Sequence, residues 1–113
     1  MNDVYSAREW LTVPDVADRL GTTPSRVRRL VEERTLLAVR IDGVLKVPAV
    51  FIDGDEPFGP LRGTVTLLSD NGFSDDEAMA WMLGVDDLLG AAPIDALLAG
   101  RKAEVRRVAQ SLA

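Results

Sequence analysis

The sequence predicts a mainly α protein: two short helices and a β-hairpin in front, and a helical bundle behind. Three observations carry that expectation. Two apolar stripes at helical spacing, Val13-Val16-Ala17-Leu20 and Val27-Leu30-Val31, flank a single glycine, Gly21. Leu37, Val39 and Ile41 then alternate with Ala38 and Arg40 up to Asp42-Gly43, the pattern of a strand entering a two-residue hairpin turn. Helical patterning resumes around Leu61 and is broken by turn signals at Asp70-Asn71-Gly72, Gly84 and Gly100.

Taken in order, residues 1–8 read as a frayed lead-in, and Trp10 and Leu11 staple the first helix to its core. Thr12 suits an N-cap, Pro14 falls in the first turn where its missing N–H costs nothing, and Asp15 complements the helix dipole. Gly21 stops the helix at a left-handed position. Thr23 caps the second helix, Pro24 opens it, and it ends near Arg34-Thr35. Val44 to Val47 is the returning strand; Pro48 ends it, and Ala49 to Ile52 is an apolar exit.

Residues 53–60, DGDEPFGP, are dense in proline, glycine and acids and read as a linker between a front domain, 1–52, and a helical domain, 61–113. Val65, Leu67 and Leu68 mark the first helix of the back half, and Phe73 docks the turn that ends it. Ser74 with Glu77 is a capping-box pair, and Ala78, Met79, Trp81, Met82 and Leu83 form the buried side of the next helix. Gly84 to Ala92 is a loop carrying Leu88 and Leu89. Pro93 starts a helix through Leu97 and Leu98, and a last helix begins at about Lys102, with Val105, Val108, Ala109 and Leu112 as its stripe.

The composition narrows the chemistry. The 113 residues are 47% hydrophobic and 27% charged, which suits a folded domain. There is no cysteine and no histidine, which removes thiolate metal sites, disulfides and the commonest general base. No nucleophile–base pair and no glycine-rich phosphate loop stands out. Asp75, Asp76, Glu77, Asp86 and Asp87 lack calcium-loop spacing and read as helix-start and loop acids. The chain is therefore expected not to be an enzyme and to need no cofactor or metal. No apolar run approaches the ~20 residues of a membrane span, and the opening residues lack a signal-peptide core, so a cytoplasmic protein is expected.

The net charge of −5 is unevenly spread. Residues 1–52 hold eight Lys/Arg and seven Asp/Glu, a balance of +1, while residues 53–113 hold five and eleven, a balance of −6. Screening confines fields to about 8–10 Å at working salt, so a basic front is not silenced by an acidic back. The alternative is a solvated helix face in which Arg28 pairs with Glu32 and Arg29 with Glu33, four residues apart.

The order LTVPDVADRLG, TTPSRVRRLVEE and LLAVRIDGVLKVP resembles the winged helix-turn-helix domains of the MerR and excisionase-like DNA-binding families. The resemblance implies a second helix in the major groove of double-stranded DNA and a wing on the backbone. It places Thr23, Ser25, Arg26, Arg28 and Arg29 on the DNA-facing helix, and Arg40 and Lys46 on the wing. Those families often carry a glycine between the second helix and the wing, where this chain has Arg34-Thr35.

The run AMAWMLGVDDLLGAAPIDALLAGRKAEVRRVAQSLA is similar to the toxin-binding domains of Xre/MbcA/ParS-type antitoxins, which implies a protein partner for residues 61–113. Together the two parts resemble a small actinobacterial DNA-binding family, with a mycobacterial member that is the substrate of a membrane Ser/Thr protein kinase. The resemblance therefore implies a transcriptional regulator, with a Ser/Thr kinase as a further partner. The longer N-terminal tail of the mycobacterial type has no counterpart here, so regulation through that tail does not carry over. Thr12, Thr22 and Thr23 are phosphorylatable, and helix capping is the simpler use of a threonine at a helix start. Dimerisation, as a homo-oligomer, would strengthen DNA binding by an otherwise acidic chain.

Overall fold

The computed structural model describes residues 3–112. The front comprises α1 (Asp3–Ser6), β1 (Trp10–Thr12), α2 (Val13–Leu20), α3 (Pro24–Glu32), β2 (Val39–Ile41) and β3 (Val44–Pro48). A single 3-10 turn, Ala49–Phe51, leads to β4 (Ile52–Asp53) and β5 (Glu56–Pro57). Behind come α4 (Leu61–Asp70), α5 (Asp75–Leu83), α6 (Pro93–Leu98) and α7 (Lys102–Gln110). Among the described residues no helix is long and apolar enough to cross a membrane.

The start of the chain departs from the frayed lead-in. Residues 3–6 form α1, because the Trp10 indole Nε1–H donates to the Tyr5 carbonyl at 2.8 Å and the two rings meet edge to face at 5.2 Å. Met1 and Asn2 lie outside the described residues. Trp10–Thr12 does not merely precede α2: it pairs antiparallel with β3, so the hairpin belongs to a three-stranded sheet of order β1-β3-β2. The register sets Trp10 opposite Pro48, Leu11 opposite Val47 and Thr12 opposite Lys46. On the other side of β3, Val39 faces Lys46, Arg40 faces Leu45 and Ile41 faces Val44. The Asp42-Gly43 turn has positive φ at both residues, 52° and 80°, the mirror-type turn that suits a twisted hairpin.

Residues 53–60 also carry more order than a linker. Ile52–Asp53 pairs with Glu56–Pro57, and the Phe58 N–H donates to the Phe51 carbonyl at 2.8 Å. Phe51 is fully buried, and one continuous cluster of apolar side chains runs through both halves, from Leu11 to Ala109. Leu20 and Val108 are only half-buried, and Leu112 is exposed, so the outer ends of two expected stripes stay wet. Two ion pairs add to the join. Arg8 grips Asp95 of α6 through both guanidinium Nη atoms, at 3.1 and 2.8 Å, and Arg34 reaches Asp75 of α5 at 3.3 Å.

Candidate nucleic-acid interface

Local chemistry sets where α2 and α3 begin and end. Thr12 Oγ1 accepts from the Asp15 N–H at 3.3 Å while Asp15 Oδ2 accepts from the Thr12 N–H at 3.1 Å, a complete capping box. The same bonds hold the Asp15 carboxyl below the usual aspartate range. Gly21 ends α2 at φ 66°, and Thr23 Oγ1 then accepts from the Arg26 N–H at 3.2 Å to start α3, with Pro24 as its first residue. Val27 and Leu30 turn inward and leave Ser25, Arg26, Arg28 and Arg29 exposed.

The junction between α3 and the wing is a left-handed turn made without glycine. Arg34 adopts φ 63°, and the Thr35 and Leu36 N–H groups both return to the Leu30 carbonyl, at 2.9 and 3.2 Å. The backbone therefore takes the conformation a glycine would supply, and the wing follows directly.

Side-chain pairing on α3 differs from the expected Arg28–Glu32 and Arg29–Glu33 pairs. Arg26 instead approaches Glu33, two turns on, at 3.9 Å, with both side chains about half exposed, at 48%. A pair so long and so wet adds little stability. Among the described residues Arg28 and Arg29 make no ion pair.

The fold brings Arg28 of α3 and Arg40 of β2 to the walls of one open cleft of about 290 Å3. Its remaining wall is Thr12, Val13 and Pro14 at the start of α2, with Gly43, Val44 and Leu45 of the wing, and no acidic side chain lines it. Arg40 is steadied there by donating to the Gly43 carbonyl at 3.3 Å. Lys46 is placed differently. Strand side chains alternate between faces, so Arg40 and its partner Leu45 share one face while Lys46 lies on the other. There Lys46 is half-buried in a second cleft with Tyr5, Ser6, Trp10 and Ile41, which Arg40 and Asp42 also line. Burial and the charge of Asp76 raise the Tyr5 phenol above its ordinary pKa.

Two parts of this surface carried no local signal of their role. The contribution of Thr12 to Pro14 depends on the sheet register, and α1 beside Lys46 depends on its packing against Trp10. Among the described residues no group of three or more acids is placed to hold a metal ion.

This arrangement of two capped helices, a three-stranded sheet and a wing has clear relatives. Residues 1–52 match the family described as DNA-binding protein Rv2175c, wHTH domain, and residues 59–113 match the one described as Rv2175c C-terminal domain of unknown function. The DNA-binding protein Rv2175c of Mycobacterium tuberculosis is 35% identical over 114 residues, covering 89% of this chain and 78% of that protein. The chain belongs to the Rv2175c family. The NMR structure of Rv2175c superposes with a TM-score of 0.85 at 34% identity, over 94% of this chain and 82% of the other. The Rv2175c fold, a winged helix with helices behind, is therefore the fold of this chain.

Proposed function

We propose that this chain binds double-stranded DNA, with α3 in the major groove and the β2–β3 wing on the backbone, and acts as a transcriptional regulator. The observation that carries the reading is the cleft shared by Arg28 and Arg40, which joins helix and wing into one cationic surface without an acid in its wall. Ser25, Arg26 and Arg29 stand exposed on the same helix, where side chains of the right length reach base edges and phosphates. Thr23 and the start of α3 offer backbone N–H groups to a phosphate. The docking follows the mode of MerR- and excisionase-like domains, in a cytoplasmic, non-enzymatic protein. A kinase as further partner has the family resemblance alone behind it.

The double substitution Arg26→Ala and Arg29→Ala tests the reading. Fluorescence anisotropy on a duplex chosen by selection from random DNA should show at least about a tenfold loss of affinity, from about 1–3 kcal/mol per lost base contact. An unchanged isotherm across a salt titration would remove α3 from the interface.

A protein partner for residues 61–113 is a second reading. It is favoured by Val85 and Leu88, 75% and 78% exposed on a loop held in shape by bonds from the Leu88 and Leu89 N–H groups to Asp86. If that partner is a second copy, Val85→Asp with Leu88→Asp should turn a dimer into a monomer in sedimentation equilibrium. A monomer in both proteins would exclude it.

A further inference from the structure

The back half of the chain is acidic, yet its cations are not scattered among its acids. Of Arg62, Arg101, Lys102, Arg106 and Arg107, four lie between 101 and 107, at the start and middle of α7. Five of its eleven acids lie in the first turn of α5, at Asp75, Asp76 and Glu77, and in the following loop, at Asp86 and Asp87. Val105 and Ala109 bury the inner side of α7. At ~100° per residue, Ala103, Arg107 and Gln110 fall on the opposite side, Arg106 lies on its flank, and Lys102 stands at the open first turn nearer the inner side. All five are exposed.

The only acid of α7, Glu104, is turned aside. It pairs with Arg101, whose Nη2 lies 2.6 Å from Glu104 Oε2 and also donates to the Leu89 carbonyl at 2.9 Å. Glu104 and Arg101 thus neutralise each other. Among the described residues Lys102, Arg106 and Arg107 make no ion pair. These three line an open cleft of about 420 Å3 together with Gly100, Ala103 and Gln110, with no acid in its wall. The adjoining cleft toward α4 is lined by Arg106 and by one acid, Asp70.

We propose that this outward face of α7 is a second phosphate-contacting surface for duplex DNA, an inference that rests on the DNA-binding reading above. Three cations without ion pairs around one cleft repel one another, and a polyanion relieves that repulsion by displacing the counterions both partners hold. Such contacts hold register and orientation without reading bases.

The test is a salt series with the full chain and a labelled duplex, comparing wild type, the triple variant Lys102→Gln/Arg106→Gln/Arg107→Gln, and Arg26→Ala/Arg29→Ala. The triple variant should flatten the slope of log affinity against log salt by up to about 2.7, or 0.9 per phosphate contact. At about 0.1 M salt its affinity should fall tenfold or more. An unchanged slope and affinity, while the α3 variant loses binding, would overturn the α7 surface and leave the α3 reading standing. A wild-type protein with no salt-dependent binding would overturn both. If the triple variant melts below wild type, Lys102→Gln and Arg107→Gln are measured singly, each expected to remove about 0.9 of slope; no change in either overturns the inference.

Discussion

The front and back halves solve the same packing problem with different surfaces. In front, α2 and α3 spend their apolar residues on a core shared with a small sheet, and two arginines are left over: Arg28 and Arg29 are exposed and, among the described residues, form no ion pair. In the back, the helices of α4 to α7 pack on one another, and surface charge is used to begin a helix, as Asp75, Asp76 and Glu77 do in the first turn of α5. The difference teaches where each half can be altered. Arg28 and Arg29 can change without loss of fold, whereas Arg8 and Arg34, which reach Asp95 and Asp75, and the shared core cannot change so freely.

The largest test of this contrast is at the join. Phe51 is fully buried in the cluster common to both halves, so Phe51→Ala should cost about 3–5 kcal/mol. Trp10 reports on the front and Trp81 on the back, so Trp10→Phe and Trp81→Phe variants isolate each signal. Their denaturant midpoints should coincide and should fall together when Phe51 is truncated; separate midpoints would mean two folding units rather than one.

Next in size are the two capping boxes, one in each half. Thr12→Ala and Ser74→Ala should each lose about 1 kcal/mol in chemical denaturation. Their partners set an acid limit. Hydrogen bonds from Thr12 and Ser74 lower the Asp15 and Glu77 carboxyls from their ordinary values. Lowered folded values stabilise the protein above the unfolded carboxylate range of about 4 and lose that contribution as pH falls through them. Thermal midpoints of Asp15→Asn and Glu77→Gln should accordingly change less than wild type between pH 5 and about pH 3. Equal acid sensitivity in all three proteins would contradict the capping assignment.

The smallest effect compares two helix ends. Gly21 and Arg34 share nearly one backbone conformation, φ 66° and 63°, but only glycine takes it at no steric cost. Arg34→Gly should relieve about 1 kcal/mol of strain. Loss of the half-exposed pair with Asp75 would offset part of that gain. A small rise in thermal midpoint is expected; a fall would make the Asp75 contact the stronger term.

What the sequence discloses follows the range of the interactions involved. The helices α2 to α7 were legible because period, caps and glycine stops act within a turn or two. The Asp42-Gly43 wing was legible for the same reason. Strand β1 was not, since three residues, Trp10 to Thr12, become a strand only by meeting β3 some 36 positions away. The turn at Arg34 was hidden because its usual marker, glycine, is absent. Of the candidate surface, the exposure of Ser25, Arg26, Arg28 and Arg29 could be read from helical spacing, while the meeting of Arg28 with Arg40, and the placing of Lys46 in a different cleft from Arg28, required the register.

That register has a mechanical side. Lys46 is the one residue of β3 paired on both flanks, with Thr12 on one side and Val39 on the other. The central strand is thus a short beam, clamped at one end by β1 and at the other by β2, with Lys46 at the overlap. A sideways push on the wing tip is carried along that beam to Thr12, the residue whose hydroxyl begins α2. Wing and helix pair are therefore joined through a single shared residue of the sheet.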